Sequence, residues 1–143
     1  ANLSALNSAP RNSTLAIVSD IHGNIDALEA VLRDIEENDA GGLVCLGDII
    51  GYGAEPAACV HAIRERCLVS VLGNHEAMFL FCGEEAEREL GRIVGRPLLL
   101  ALRQLDEDET AWVRTLPLLG DFEAFEVSHA ALNEPQEFHY IFT

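Results

Sequence analysis

Four short segments of the chain place acidic, amide and imidazole side chains directly after an apolar run. The residues concerned are Asp20, His22, Asp48, Asn74 and His129. Carboxylate and amide oxygens together with imidazole nitrogens form a ligand set that suits Mn²⁺, Fe or Zn²⁺. The pattern predicts a metal site, provided that the fold brings the four segments together.

The spacing within these segments suits shared coordination. Asp20 and His22 are separated by one residue, so a tight turn would let both side chains reach the same ion. The carboxylate of Asp48 has two oxygens and could bridge two ions about 4 Å apart. Glycines at positions 23, 47, 51 and 73 allow the backbone to turn sharply beside a ligand.

An alternation of strands and helices must position these side chains. Apolar runs at residues 14–19, 43–46 and 68–72 are short, as expected for strands buried on both faces. Apolar residues at helical spacing predict helices over 24–38 and 56–67. This order favours the α/β class with a parallel sheet, in which ligands gather at the carboxyl ends of the strands.

The remainder of the chain is predicted to be helical before a further strand. Helices are expected over 84–94, from Pro97 onward and over 108–116, and a strand over 122–128 that ends at His129. We expect a single domain over residues 14–143, preceded by a disordered polar extension of residues 1–13.

Composition limits the class of function. The chain has 143 residues, 49% of them hydrophobic, which is typical of a globular protein with one core. Its formal net charge of -15 disfavours binding to a nucleic-acid backbone. An anionic substrate would therefore need a local positive charge, for which bound divalent cations are a natural source.

Compartment can also be predicted. No apolar run is long enough to span a bilayer and the first residues lack a secretory pattern, so we expect a cytoplasmic protein without a membrane partner. None of the four cysteines forms a Cys-x-x-Cys pair, and we expect all four to be reduced and structural.

Together the segments resemble the motifs of the calcineurin-like metallophosphoesterase superfamily, over about residues 15–138. The matching stretches are Ser19-Asp20-Ile21-His22-Gly23-Asn24, Gly47-Asp48, Gly73-Asn74-His75-Glu76 and Val127-Ser128-His129. The resemblance implies a calcineurin-like α/β/β/α sandwich, of which residues 14–143 would form the N-terminal part, and a metal-dependent phosphoesterase that uses a metal-activated hydroxide.

The resemblance also implies a role for each site residue. Asp20 and His22 would bind one metal, Asp48 would bridge both, and Asn74 and His129 would bind the second. The cofactor would be two divalent cations, with Mn²⁺ favoured and Fe, Zn²⁺ or Ni²⁺ as alternatives. The remaining motif residue, His75, would stabilise the transition state and protonate the leaving oxygen.

The loop after Asp48 indicates a subgroup. Protein phosphatases of the superfamily carry Asp-Arg-Gly after this Gly-Asp, whereas this chain continues Ile-Ile-Gly-Tyr-Gly, which is similar to a group of bacterial phosphodiesterases. We therefore expect a small phosphodiester or phosphomonoester as substrate. Asn24 and Tyr52 are the candidate substrate contacts, although Tyr52 suits loop packing equally well.

One family motif has no match in the chain. Members normally carry a Gly-His-x-His segment, and its absence predicts that each ion lacks one protein ligand and that the second sheet of the sandwich is truncated. There are three alternatives: the chain is a fragment of a longer enzyme, a partner chain or water supplies the missing ligands, or the protein is a non-catalytic metal-binding or interaction domain. The incomplete sheet also predicts a second copy or a partner that covers it.

Each candidate also has a structural interpretation. The Asp, Asn and His residues of the three loops could cap turns and helices, and His129 could be a hydrogen-bonded structural group. Glu76 is expected at a helix start or beside a metal ligand and not as a ligand itself. His61 and His139 are expected to be structural or solvated.

Overall fold

The computed structural model describes residues 14–122 and 124–139, so the predicted extension over residues 1–13 lies outside the described residues. The first half of the chain alternates strands and helices in the predicted order. The elements are β1 (Leu15–Val18), α1 (Ile25–Glu37), β2 (Gly42–Cys45), α2 (Pro56–Arg66) and β3 (Val69–Ser70).

The three strands form a parallel sheet in the order β1-β2-β3. Val18 pairs with Cys45, which pairs with Ser70, so the strands end side by side. The loops after the three strands therefore leave the sheet at one edge, as the α/β prediction requires.

The second half begins with three helices, α3 (Asn74–Cys82), α4 (Ala86–Gln104) and α5 (Glu107–Val113), with a 3₁₀ turn at Gly83–Glu85. The expected break before Pro97 was wrong. Helix α4 kinks earlier, at Gly91, whose φ of 73° and ψ of -179° are non-helical. Glycine tolerates this conformation without steric cost, so the chain bends there and Pro97 lies inside the following helical segment.

The strand predicted over residues 122–128 is a hairpin. Strands β4 (Leu119–Phe122) and β5 (Phe125–Ser128) pair antiparallel, and the prediction missed β4 because Gly120 and Asp121 interrupt its apolar pattern. A Cβ at Gly120 would lie 3.0 Å from a methyl carbon of Val69, so glycine there lets the hairpin approach β3 closely.

The sheet is covered on both faces. On one face, Leu43 and Cys45 pack with the helices in the main core. On the other face, a smaller cluster joins the sheet to the hairpin; its members are Val44, Val69, Val71 and Val127. The layers are thus helices, parallel sheet and a small antiparallel sheet, an α/β arrangement with a short second sheet.

Two further expectations concern the surface and the thiols. Ile17 on edge strand β1 is 54% exposed, as expected for an incomplete sheet, whereas oligomerisation stays a prediction.

The four cysteines are free thiols, as predicted. Among the described residues, no helix has both the length and the apolar character that crossing a membrane requires.

Candidate metal centre

The loops at the carboxyl edge of the sheet are bound to one another through their backbones. The N–H of His22 donates to the carbonyl of Asp48 at 2.9 Å, and the N–H of Gly23 donates to Ile49 at 2.8 Å. The carbonyl of His22 in turn accepts from the N–H of Gly53 at 2.8 Å. The loop after β1 and the loop after β2 therefore form one interlocked unit.

Four residues of this unit have a left-handed backbone conformation. The positive φ angles are 55° at Asp20, 50° at His22, 53° at Asp48 and 49° at Tyr52. This conformation is unfavourable for residues with a Cβ and persists only where the surrounding structure enforces it. Such strain is concentrated at functional sites, which agrees with the position of these residues.

Asp48 lies at the centre of the site, with 3% of its surface exposed. Its Oδ1 accepts a hydrogen bond from the N–H of His75 at 2.9 Å. Its Oδ2 lies 3.5 Å from Nε2 of His129, 3.8 Å from Nε2 of His22 and 4.0 Å from Nε2 of His75. Three imidazole nitrogens thus surround one carboxylate oxygen at distances too long for hydrogen bonds.

Backbone carbonyls orient two of the imidazoles. Nδ1 of His22 donates to Ile50 at 3.2 Å, and Nδ1 of His129 donates to Leu46 at 2.8 Å, because a carbonyl can only accept. In the neutral tautomer each Nε2 then carries a lone pair that is directed into the site. Hydrogen bonding of this kind is typical of imidazoles that bind metals.

Asn74 and His129 approach each other in the site, although they are far apart in the sequence. Oδ1 of the amide lies 2.9 Å from Nε2 of the imidazole. With Nδ1 of His129 donating to a carbonyl, the neutral ring presents a lone pair to this oxygen. A cation bound to both atoms would satisfy the two lone pairs, which fits a metal site.

Two overlapping groups of potential ligands result. One group is His22, Asp48 and His75, the other is Asp20, Asp48 and His129, and within each group the ligand atoms lie within 4.8 Å of one another. Asp48 belongs to both groups, and its bridging role stays a prediction. The groups place Asp20 with His129, whereas the resemblance pairs Asp20 with His22, whose Nε2 lies 3.7 Å from Asp20 Oδ1. The mixture of carboxylate oxygens and imidazole nitrogens fits a borderline divalent cation.

His75 belongs to one of these groups, although the resemblance places it outside the metal ligands. The residue is 4% exposed, and its Nδ1 has no hydrogen-bond partner among the described residues. Burial lowers the pKa of His75, while the charge of Asp48 opposes this shift. A Cβ at Gly51 would lie 2.1 Å from Nδ1, so no other residue fits at that position.

Glu76 is a buried residue whose individual contacts the sequence did not specify. It is fully buried, and its carboxylate accepts four backbone N–H groups, from Asp48, Ile49, Ile50 and Gly73, at 2.8–3.0 Å. Burial raises the pKa of Glu76, and these hydrogen bonds oppose the shift. The sequence placed Glu76 at a helix start or beside a metal ligand, and the structure adds its four backbone partners.

The candidate substrate contacts, Asn24 and Tyr52, line a cavity of about 570 Å³ beside Asp20 and His22. The side-chain oxygen of Asn24 also accepts the N–H of Ala27 at 3.1 Å and so caps α1. Tyr52 is 53% exposed, and its ring centroid lies 4.7 Å from that of His22. Both residues are therefore placed to contact a ligand, and their predicted role stays a prediction.

Two histidines lie outside the site, as expected. His61 and His139 are exposed, and each is paired with a glutamate, Glu65 at 3.4 Å and Glu134 at 3.8 Å. The six other predicted residues converge on the carboxyl edge of the sheet. They are Asp20, His22, Asp48, Asn74, His75 and His129.

The chain is similar to other proteins both in sequence and in structure. The chain is 35% identical over 134 residues to an uncharacterized protein of Methanocaldococcus jannaschii, covering 91% of this chain and 54% of that protein. It matches a crystal structure of a metallophosphoesterase from Sphaerobacter thermophilus with a TM-score of 0.76 and 29% identity, covering 92% of this chain and 52% of that one.

A shorter match concerns serine/threonine-protein phosphatase 1 of Salmonella typhimurium. The two sequences are 37% identical over 65 residues, which are 45% of this chain and 30% of the phosphatase. The chain thus spans about half the length of the first two proteins and less of the third.

The sequence pattern of the calcineurin-like phosphoesterase family matches residues 13–137. This range contains every candidate ligand, and the similarity to the metallophosphoesterase structure confirms the predicted fold. The small second sheet agrees with a shortened version of that fold. The chain therefore belongs to the calcineurin-like phosphoesterase family.

Proposed function

We propose that the chain is a metal-dependent phosphoesterase that hydrolyses a small phosphodiester or phosphomonoester. The observation that carries the proposal is the convergence of three imidazole Nε2 atoms on one carboxylate oxygen of Asp48. In a chain with a formal net charge of -15, a bound cation would supply the local positive charge that a phosphate ester needs.

The proposed ligands are divided between two divalent cations. Asp20 and His22 would hold one, Asn74 and His129 the other, and Asp48 both. Mn²⁺ is favoured, and Fe, Zn²⁺ or Ni²⁺ are alternatives. When bound, such ions supply Lewis-acid polarisation of the phosphoryl oxygens and lower the pKa of coordinated water.

His75 is the proposed proton donor to the leaving oxygen. Its backbone N–H is fixed to Asp48, and Gly51 packs against one side of its ring. These contacts restrain the imidazole, with Nε2 4.0 Å from Asp48 Oδ2, beside the proposed reaction centre. Burial lowers the pKa of His75, and the charge of Asp48 opposes this by favouring the protonated ring, which could then protonate an alkoxide as the ester bond breaks.

The proposed substrate is small. The cavity beside the ligands offers about 570 Å³ and has Asn24 and Tyr52 in its lining. The loop after Asp48 lacks the arginine of the Asp-Arg-Gly motif, which favours a phosphodiester over a phosphoprotein. The cytoplasmic location expected from the sequence is part of this proposal.

Hydrolysis of bis(p-nitrophenyl) phosphate with added Mn²⁺ tests the proposal. We expect Mn²⁺-dependent turnover that chelation abolishes and that Asp48→Asn reduces by at least about 100-fold. Asp121→Asn, an exposed aspartate on β4, is the matched control and should leave the rate unchanged. Turnover that neither chelation nor Asp48→Asn affects would contradict the proposal.

The same samples test the alternative of a non-catalytic metal-binding domain. Metal analysis of the purified chain should give about two ions per chain if the enzyme proposal is right. Uptake of metal without hydrolysis of phosphodiesters or phosphomonoesters would favour the binding domain instead.

A further inference from the structure

We propose that Glu76 is a positioning residue that holds Asp48 in the conformation in which it presents its carboxylate to metal. This inference rests on the proposed function only in that Asp48 must be a ligand. It assigns to Glu76 a role in metal affinity although the side chain touches no metal.

The carboxylate of Glu76 is saturated by backbone donors. Oε2 accepts from the N–H groups of Asp48 and Gly73 at 2.8 and 3.0 Å. Oε1 accepts from the N–H groups of Ile49 and Ile50 at 2.8 and 3.0 Å. Neither oxygen belongs to the two groups of potential ligands, so any effect on a metal must act through the loop.

The bound loop has an unusual backbone. Gly47 has a φ of 95°, Asp48 a φ of 53° and Gly51 a φ of 94°. The three successive N–H groups of residues 48–50 all point to the one carboxylate, which is the arrangement of a backbone anion nest. Here the anion is an internal side chain, and its hydrogen bonds offset the strain of the left-handed Asp48.

The carboxylates of Asp48 and Glu76 both lie close to the backbone of Gly73. A Cβ at Gly73 would overlap Asp48 Oδ1 and would lie 2.8 Å from Glu76 Oε2. Glycine at position 73 therefore leaves room for both carboxylates beside its backbone. Displacement of the Glu76 carboxylate would move the Asp48 backbone directly.

The test compares Glu76→Gln with Glu109→Gln. Glu109 is the matched control, since it also accepts a backbone N–H at the start of a helix, from Asp106 at 3.0 Å, but far from the site in the sequence and near the protein surface. Glutamine keeps the shape of the side chain but replaces one acceptor oxygen by an amide NH₂, which cannot accept a hydrogen bond from the N–H groups of the loop.

Calorimetric titration with Mn²⁺ gives the first readout, at a temperature where circular dichroism shows each variant to be folded. We expect Glu76→Gln to raise the dissociation constant about 10- to 100-fold, as for other residues that orient metal ligands, and Glu109→Gln to leave it unchanged. A merely structural role would lower thermal stability without changing the Mn²⁺ affinity of the folded protein, and that result would overturn the proposal.

Hydrogen exchange of the metal-free wild type gives a second readout, which does not require a folded variant. The amides of residues 48–50 should exchange as slowly as that of Val71, which donates to Cys45 in the sheet at 3.0 Å. Exchange of these three amides at the rate of an open loop would overturn the proposal. A wild type that takes up no Mn²⁺ would contradict the proposed function and, with it, the link from Glu76 to metal.

Discussion

The carboxyl edge of the parallel sheet and the β4-β5 hairpin contribute to the same site but are held in very different ways. At the edge, the loop after β1, the loop after β2 and the N-terminus of α3 are joined by backbone hydrogen bonds and by the buried Glu76. The hairpin packs through the valine cluster, and His129 after it donates one hydrogen bond to Leu46.

This difference suggests how the site is divided. The interlocked loops impose left-handed backbone on Asp20, His22 and Asp48, which places three ligands rigidly. His129 follows a short strand whose first two side chains, Phe125 and Glu126, are exposed, and its ring is held by a hydrogen bond to Leu46 and by its contact with Asn74. We therefore expect substitutions at the edge to cost more stability than substitutions in the hairpin, and metal to couple the two regions.

The largest expected effect is that of Gly51→Ala. The new Cβ would overlap His75 Nδ1, and the φ of 94° disfavours alanine, so the free energy of unfolding should fall by about 2–4 kcal/mol. Gly83→Ala is the control, because its φ of 49° is strained but its Cβ would meet no atom within 4 Å. Its ψ of -128° also favours glycine, so urea unfolding should give a loss of about 1–3 kcal/mol there from backbone strain alone, smaller than that of Gly51→Ala. Equal losses would count against the packing argument.

Metal should stabilise both regions together. At a free Mn²⁺ concentration 100 times the dissociation constant, the free energy of unfolding should rise by about 2.7 kcal/mol for each bound ion, and EDTA should reverse the rise. His129→Ala should lose part of this gain, because it removes the ligand after the hairpin, whereas the exposed His61→Ala should keep all of it. Thermal scans with and without Mn²⁺ measure both, and an undiminished gain in His129→Ala would exclude a role for the hairpin in metal binding.

Alkaline pH should destabilise the main core, which contains the buried thiol of Cys59 on α2. Burial raises the pKa of Cys59 from 9.0 to about 12. Between these values the unfolded chain releases a proton that the folded chain keeps, so stability falls as the pH rises, by at most about 1.4 kcal/mol per pH unit from this thiol.

Urea unfolding between pH 8 and 10.5 measures that fall. Cys59→Ala should be less stable at pH 8 than the wild type but should lose stability less steeply as the pH rises, because it lacks the titrating thiol. Identical slopes for the two proteins would show that the Cys59 thiol is not the group responsible.

The smallest expected effect is in the hairpin. The rings of Phe122 and Phe125 stack with centroids 4.6 Å apart at the end of the hairpin, and Phe125 is 41% exposed. Phe125→Ala should therefore cost about 0.5–1.5 kcal/mol, and Leu132→Ala, in an exposed loop, less than about 0.5 kcal/mol. A loss for Phe125→Ala as large as that for Gly51→Ala would break the contrast between the two regions.

The sequence predicted the parts of the molecule that depend on local pattern. Apolar runs followed by polar residues gave the strands β1 to β3, and the polar residues at their ends gave the candidate ligands. Parallel strands bring such ends together whatever the side chains between them are, which is why residues as distant as Asp20 and Asn74 could be assigned to one cleft.

The rest depends on contacts that the sequence does not encode locally. Strand β4 contains Gly120, which fits closely against Val69 of a distant strand. The helix kinks at Gly91, whereas the local pattern predicted a break before Pro97. The role of Glu76 required the loop of residues 48–50 to fold around its carboxylate, which no spacing along the chain reveals.

The most direct test of the proposed two-metal centre is anomalous diffraction at the manganese absorption edge from crystals soaked in Mn²⁺ and phosphate. We expect two peaks on either side of the Asp48 carboxylate, one beside Asp20 and His22 and one beside Asn74 and His129. Peaks confined to acidic side chains elsewhere on the surface, with none at Asp48, would contradict it.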